Sequence, residues 1–220
     1  MLIELTGIDG CGKSTLASRL HVLLDAYEVP CDQHVLRSTH KRLLSALGQE
    51  HGFPGWQGLF TPDTVEIAHA LEMLDLVRTT LVPLDLRRRV VLTDTYVSRW
   101  LATAALVGAG NLETLARLYR RLPHPDLSIR LHADPGDAVD RIARRPKGDR
   151  VMGPGAVQRL HRYQDGFRRT APLLPYPQHH VPTDAGVGQT LAHVMTLLRS
   201  SSAVPAKLRE RLASAEGESL

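Results

Sequence analysis

Short apolar runs alternate along this chain with longer stretches whose apolar residues recur every three or four positions. The runs Leu2–Thr6, Gln33–Leu36, Val90–Thr93, Leu127–His132 and His179–Pro182 predict strands. Helical spacing predicts helices that start near Lys13, Pro62, Val97, Leu112, Pro135, Gly155 and Val187. The helix from Pro62 is the best marked. Thr61 can cap it, Pro62 suits its first turn, Asp63 complements its dipole, and Ile67, Leu71, Leu74 and Val77 offer an apolar face. Strands alternating with helices predict an α/β fold of three layers, a five-stranded parallel sheet between helices. Residues 49–60, rich in glycine and carrying Trp56, read as a loop. Residues 1–200 are expected to form one domain, and 201–220, small and polar, a loosely ordered tail with a frayed helix.

The first run leads directly into Gly7-Ile8-Asp9-Gly10-Cys11-Gly12-Lys13-Ser14-Thr15, which opens onto helical spacing. This is the G-x-x-x-x-G-K-[ST] phosphate-binding loop in the strand-to-helix setting that it requires. Its glycines let successive backbone N–H groups converge on phosphate oxygens, and the helix N-terminus adds partial positive charge. Lys13 is expected to reach the β- and γ-phosphates of ATP, and the Ser14 hydroxyl to ligate Mg²⁺. An ordinary glycine-rich turn has no need of Gly-Lys-Ser-Thr at this spacing.

Further charged groups gather at the carboxyl ends of the predicted strands, where ligands of open α/β sheets bind. The run Val90–Thr93 ends on Asp94, which reads as a second Mg²⁺ group or as a turn cap. Arg37 follows the second run and reads either as a grip on an anionic acceptor or as half of a surface ion pair. Arg141, Arg144, Arg145, Lys147 and Arg150 cluster around Pro146 and Gly148. They form either a solvated charge run or a basic lid, about 143–153, that closes over the triphosphate and delivers an arginine to the developing charge.

Composition narrows the picture little. The net charge of +4 is spread along the chain, so no nucleic-acid partner is indicated. The two cysteines, Cys11 and Cys31, suggest neither a disulfide framework nor a metal site, and fit a reducing cytoplasm. No apolar stretch reaches membrane-spanning length. The 11 histidines show no metal-ligand spacing, and His179-His180 reads as structural.

With these residues in view, the chain resembles the thymidylate kinases, within the nucleoside monophosphate kinase group of P-loop proteins. The loop, including Asp9, looks like that family's version. Asp94-Thr95-Tyr96 sits where the family has Asp-Arg-Tyr, and Pro125-Asp126-Leu127, Leu131, Asp134-Pro135, Arg141 and Asp149-Arg150 are similar to the segment that enters and forms the lid. The resemblance implies transfer of the γ-phosphate of MgATP to a nucleoside monophosphate-like acceptor, dTMP or an atypical one. It implies a lid arginine as the catalytic cation, with Arg144, Arg145 and Arg150 as candidates. It also implies that Asp9 and Asp94 position Mg²⁺ and acceptor, that residues 7 and 9–15 with Arg141 hold the nucleotide, and that a homodimer is plausible.

The resemblance also exposes departures. His69 and Met73 occupy positions where the family carries a base-stacking Phe and a base-binding Arg. Thr95 replaces a phosphate-binding Arg, and Trp100, Thr103 and Ala104 replace polar or aromatic base contacts. Tyr96 and Arg99 complete the expected acceptor side, with Arg99 or Arg78 as partial replacements for the missing arginines. Two other functions stay open: a kinase of a hydroxyl group, in which Asp94 or Asp9 takes the proton, and a non-catalytic nucleotide-binding module.

Overall fold

The computed structural model describes residues 1–144 and 153–217. Five strands form one parallel sheet: β1 (Leu2–Thr6), β2 (Cys31–His34), β3 (Val90–Asp94), β4 (Leu127–His132) and β5 (His179–Pro182), in the order β2-β3-β1-β4-β5. Every residue of β1 is buried, as suits a central strand covered by helices on both faces. Alternation along β1 divides the interior in two. Ile3 and Leu5 pack on one side with α1 (Lys13–Ala26) and α8 (Val187–Ser200). Leu2 packs on the other with α3 (Pro62–Thr80), α4 (Val97–Leu106) and α5 (Leu112–Tyr119). The remaining helices are α2 (His40–Glu50), α6 (Pro135–Ala143), α7 (Ala156–Thr170) and α9 (Ala206–Gly217). The sheet and its order put the carboxyl ends of β1 and β3 side by side, with Leu5 opposite Asp94.

Three expectations need correction. The second strand lies two residues earlier than expected, because Cys31 to His34 pair with Val90 to Thr93, and Leu36 turns instead into the core. Helix α2 was not foreseen: residues 40–50 carry only Leu43, Leu44, Ala46 and Leu47 as apolar signals, and Leu43 and Leu47 are exposed. It runs into the segment expected as loop, where Trp56 is buried in a short 3₁₀ turn. In α3 the Thr61 cap forms, accepting the Thr64 N–H at 3.2 Å, and on the expected apolar face Val77 is buried and Ile67 and Leu74 pack against the core, but Leu71 faces solvent. Helix α3 also buries Glu66 and His69, which apolar spacing alone does not foresee. Beyond residue 200, α9 meets the body of the fold. Val204 and Leu208 enter the core, and Lys207 and Arg211 both pair with Glu28, at 3.3 and 3.0 Å. No described helix is long and apolar enough to cross a membrane.

Candidate active site

The loop between β1 and α1 is shaped by its glycines. At Gly10 the backbone is left-handed (φ 82°), and a Cβ there would lie 2.3 Å from the Ala138 carbonyl oxygen, so α6 can close on the loop only over glycine. Gly12, also left-handed (φ 99°), turns the chain into α1. The Lys13 ammonium folds back along the loop and donates to the carbonyls of Gly7 (3.1 Å) and Ile8 (2.9 Å), beside the buried Cys11 thiol. The ammonium thus sits over the loop, held by two of its carbonyls.

Two cavities flank the loop. The polar one, about 160 Å³, is lined by Asp9, Gly10, Gly12, Lys13, Ser14, Asp94, Thr95 and Arg99. There the Ser14 hydroxyl donates to the Asp94 carboxylate at 3.3 Å. Thr95 at the rim holds a left-handed backbone (φ 94°), a strain of about 1–3 kcal/mol for a β-branched residue. The other cavity, about 240 Å³ and mostly apolar, lies between Cys11, Gly12, Thr15 and Leu16 on one side and Leu131, Arg141, Thr183, Gly186, Val187 and Thr190 on the other. Arg141 is fixed there by donating to the Thr183 hydroxyl (3.2 Å) and carbonyl (3.1 Å). A polar cleft thus lies on one side of the glycine loop and a mostly apolar slot on the other.

Arg99, from α4, braces the loop from the opposite side. It donates to the Gly7 carbonyl at 2.7 Å and to both Asp9 carboxylate oxygens at 3.0 and 3.1 Å, and its guanidinium lies 4.0 Å from the centre of the Tyr163 ring. Tyr163 in turn bonds the Thr103 hydroxyl, which also donates to the Arg99 carbonyl. Arg99 and Thr103 thus hold the loop and each other.

The other expected acceptor residues do not face this cleft as a set. Met73 is fully buried in the core, as is Tyr96, whose hydroxyl donates to the Pro123 carbonyl at 2.9 Å. Trp100 packs edge-on to His69 and against Tyr96 and Tyr119. These three side chains are packing elements because α3 and α4 turn them inward against each other. His69 is buried and stacked on His40, the two rings 5.1 Å apart, and burial, helped by the Lys41 and His40 charges, pushes its pKa down to about 3. Arg37 follows β2, exposed, with no ion pair among the described residues. Arg144 is exposed at the end of α6, whereas Arg145, Lys147, Arg150 and most of the expected lid lie outside the described residues.

Sequence reasoning missed several polar groups in the surrounding core. Glu4, buried in β1, accepts from the Ser98 N–H (3.0 Å), the Ser98 hydroxyl (2.6 Å) and the Ser128 hydroxyl (2.6 Å). Burial pushes its pKa up, with the Ser128 and Ser98 hydrogen bonds opposing. A carboxylate inside the apolar run Leu2–Thr6 was the available signal. Lys41 pairs with the buried Glu66 at 2.5 Å, and Glu72 accepts from the Thr39 N–H (2.7 Å), the Thr39 hydroxyl (2.6 Å) and His40 Nδ1 (2.7 Å). Burial pushes the Glu72 pKa up, but the Thr39 and His40 hydrogen bonds outweigh it and hold the carboxyl down at about 2.

No protein-family profile matches the chain, and no curated protein matches it in sequence. Among solved structures, the thymidylate kinase of Ehrlichia chaffeensis superposes with a TM-score of 0.61 at 16% identity, over 90% of this chain and 97% of that one. The fold is therefore that of a P-loop kinase, thymidylate-kinase-like, with its five-stranded parallel sheet.

Proposed function

We propose that this chain is an ATP-dependent phosphotransferase that moves the γ-phosphate of ATP to a nucleoside monophosphate-like acceptor. The observation that carries the reading is the Lys13 ammonium laid over the loop carbonyls at the rim of a polar cleft that also holds the Ser14–Asp94 contact. The triphosphate would lie along the N–H groups of residues 7–15, with the base in the slot beside Arg141 and Thr183. The donor set fits Mg²⁺: a hydroxyl and a carboxylate in contact, with a second carboxylate, Asp9, lining the same cleft. Ser14 and Asp94 would hold the ion with Asp9 nearby, and it would supply charge neutralisation between the β- and γ-phosphate oxygens.

In the transfer, the bond between the γ-phosphorus and the bridging oxygen breaks, a bond to the acceptor oxygen forms, and ADP leaves. Lys13 and an arginine from Arg144, Arg145 or Arg150 balance the charge on the oxygens in flight. A phosphate acceptor is already nucleophilic and needs no strong base.

A second reading, transfer to a hydroxyl group, is favoured by one feature: Arg99 is engaged by Asp9 and Gly7 and offers little to an acceptor phosphate. The hydroxyl proton would then pass to Asp94 or Asp9. ATP consumption measured across nucleoside monophosphates, nucleosides and small phosphorylated metabolites, with ³¹P NMR of the product, separates the readings. A new phosphoanhydride supports the first, a new phosphate ester the second. Turnover no faster than ATP hydrolysis alone across the panel would sink both.

A further inference from the structure

One face of α3 presents His69 and Glu72 a single turn apart, and α2 brings His40 to meet them. A donor atom from each of the three residues lies within 4.8 Å of the other two. Spacing along the sequence gave no hint of this, because the third member comes from a helix that sequence patterning did not foresee.

The cluster carries unspent coordinating capacity. His40 Nδ1 faces the Glu72 carboxylate at 2.7 Å. Among the described residues, His40 Nε2 is buried and has no partner. The Nδ1 of His69 is also buried and unpartnered, in a ring only 6% exposed. Leaving a buried polar atom unpaired is costly, and here two such atoms belong to neighbouring rings beside the Glu72 carboxylate.

We propose that His40, His69 and Glu72 form a binding site for a divalent first-row cation of the zinc class, which clamps α2 to α3. Two imidazoles and one carboxylate suit zinc, cobalt or iron rather than magnesium, which prefers oxygen alone. Bonds of about 2.0–2.1 Å put tetrahedral ligand atoms roughly 3.3 Å apart, so an ion shared by all three residues would replace the His40 Nδ1–Glu72 hydrogen bond and draw together donor atoms that now lie within 4.8 Å. The three protein ligands leave a coordination position for water. The site stands apart from the Ser14–Asp94 contact and does not depend on the phosphotransferase reading.

Titration of metal-free protein with Co²⁺ provides the test. The expected result is the intense visible absorption of a four- or five-coordinate site, saturating at one ion per chain, abolished by Zn²⁺, with a Zn²⁺-dependent rise in Tm. His40→Gln and Glu72→Gln, each checked for folding by circular dichroism, should weaken binding by at least about 100-fold, since loss of an outer-shell partner alone costs 10–100-fold. Asp94→Asn should keep the band, which separates this site from the phosphate cleft. Absence of both the band and the Tm shift in the unaltered protein overturns the proposal, as does a band that survives in both folded glutamine variants.

Discussion

The two sides of the phosphate loop are built on different terms. Toward Arg141 and Thr183 the wall is an open slot whose polar residues bond one another, and Lys13 touches loop carbonyls and the Cys11 thiol. Toward α3 and α4, the side chains at the corresponding depth are spent on one another: Met73 and Tyr96 in the core, Trp100 against three rings, Arg99 on Asp9 and Gly7. One side thus keeps an open slot, and the other is preorganised for itself. A phosphate tail asks for backbone N–H groups and one cation, which any sequence with the right glycines supplies. An acceptor pocket asks for particular side chains at particular depths.

The sharpest blow to the donor side is Lys13→Met. It removes the ammonium over the loop, and turnover with every acceptor should fall by on the order of 10³-fold, the scale of losing a preorganised charge-stabilising donor. Steady-state ATP consumption reads this directly. Nearly unchanged turnover would mean that the loop does not serve the transfer.

Arg99→Met tests whether the opposite wall is a brace or a grip. It strands the Asp9 carboxylate, and breaking a largely buried ion pair costs about 3–5 kcal/mol, visible as a lower denaturant midpoint. Should stability hold while only acceptor KM rises, Arg99 belongs to the acceptor after all.

How legible each side was follows from the same physics. Residues 7–15 and the strand ends Asp94 and His132 could be read because their chemistry is local: the glycines, the lysine and the apolar run stand next to one another in the chain. His40, Glu66 and Glu72 could not, since each acquires meaning only from a partner across the α2–α3 contact. Helix α3 shows why. Its apolar residues surround the helix, so periodicity pointed to Leu71, whereas burial chose Glu66 and His69 because Lys41 and His40 were there to meet them. Trp100 and Met73 were correctly placed on their helices, but sequence spacing cannot say whether a side chain at a pocket wall faces the void or the core.

A smaller effect is expected at Arg37, the exposed cation after β2. With an anionic acceptor, Arg37→Ala should raise its KM by roughly 10–100-fold, the worth of one hydrogen bond to a charged group, with kcat little changed. An unchanged KM would count toward the hydroxyl reading.

The smallest expected effect concerns Glu4, which lies under both sides in the central strand. Its folded pKa is raised above the ordinary 4.5 by burial, with the Ser128 and Ser98 bonds opposing. A raised carboxyl pKa means that the folded chain keeps its proton at pH values where the unfolded chain has lost it. The stabilisation is therefore complete below about pH 4.5 and is lost as pH rises through the folded value, by at most about 1.4 kcal/mol per pH unit. Glu4→Gln keeps an acceptor oxygen for the serine hydroxyls but has no proton to lose. The difference in stability between the original chain and the variant should then shift steadily toward the variant as pH rises from 4.5, in urea melts at matched ionic strength. A difference that stays flat with pH would show that Glu4 is ionised in the fold, its charge carried by the two serines and the backbone N–H of Ser98, and that the centre of the sheet tolerates a bare carboxylate as readily as the cleft above it does.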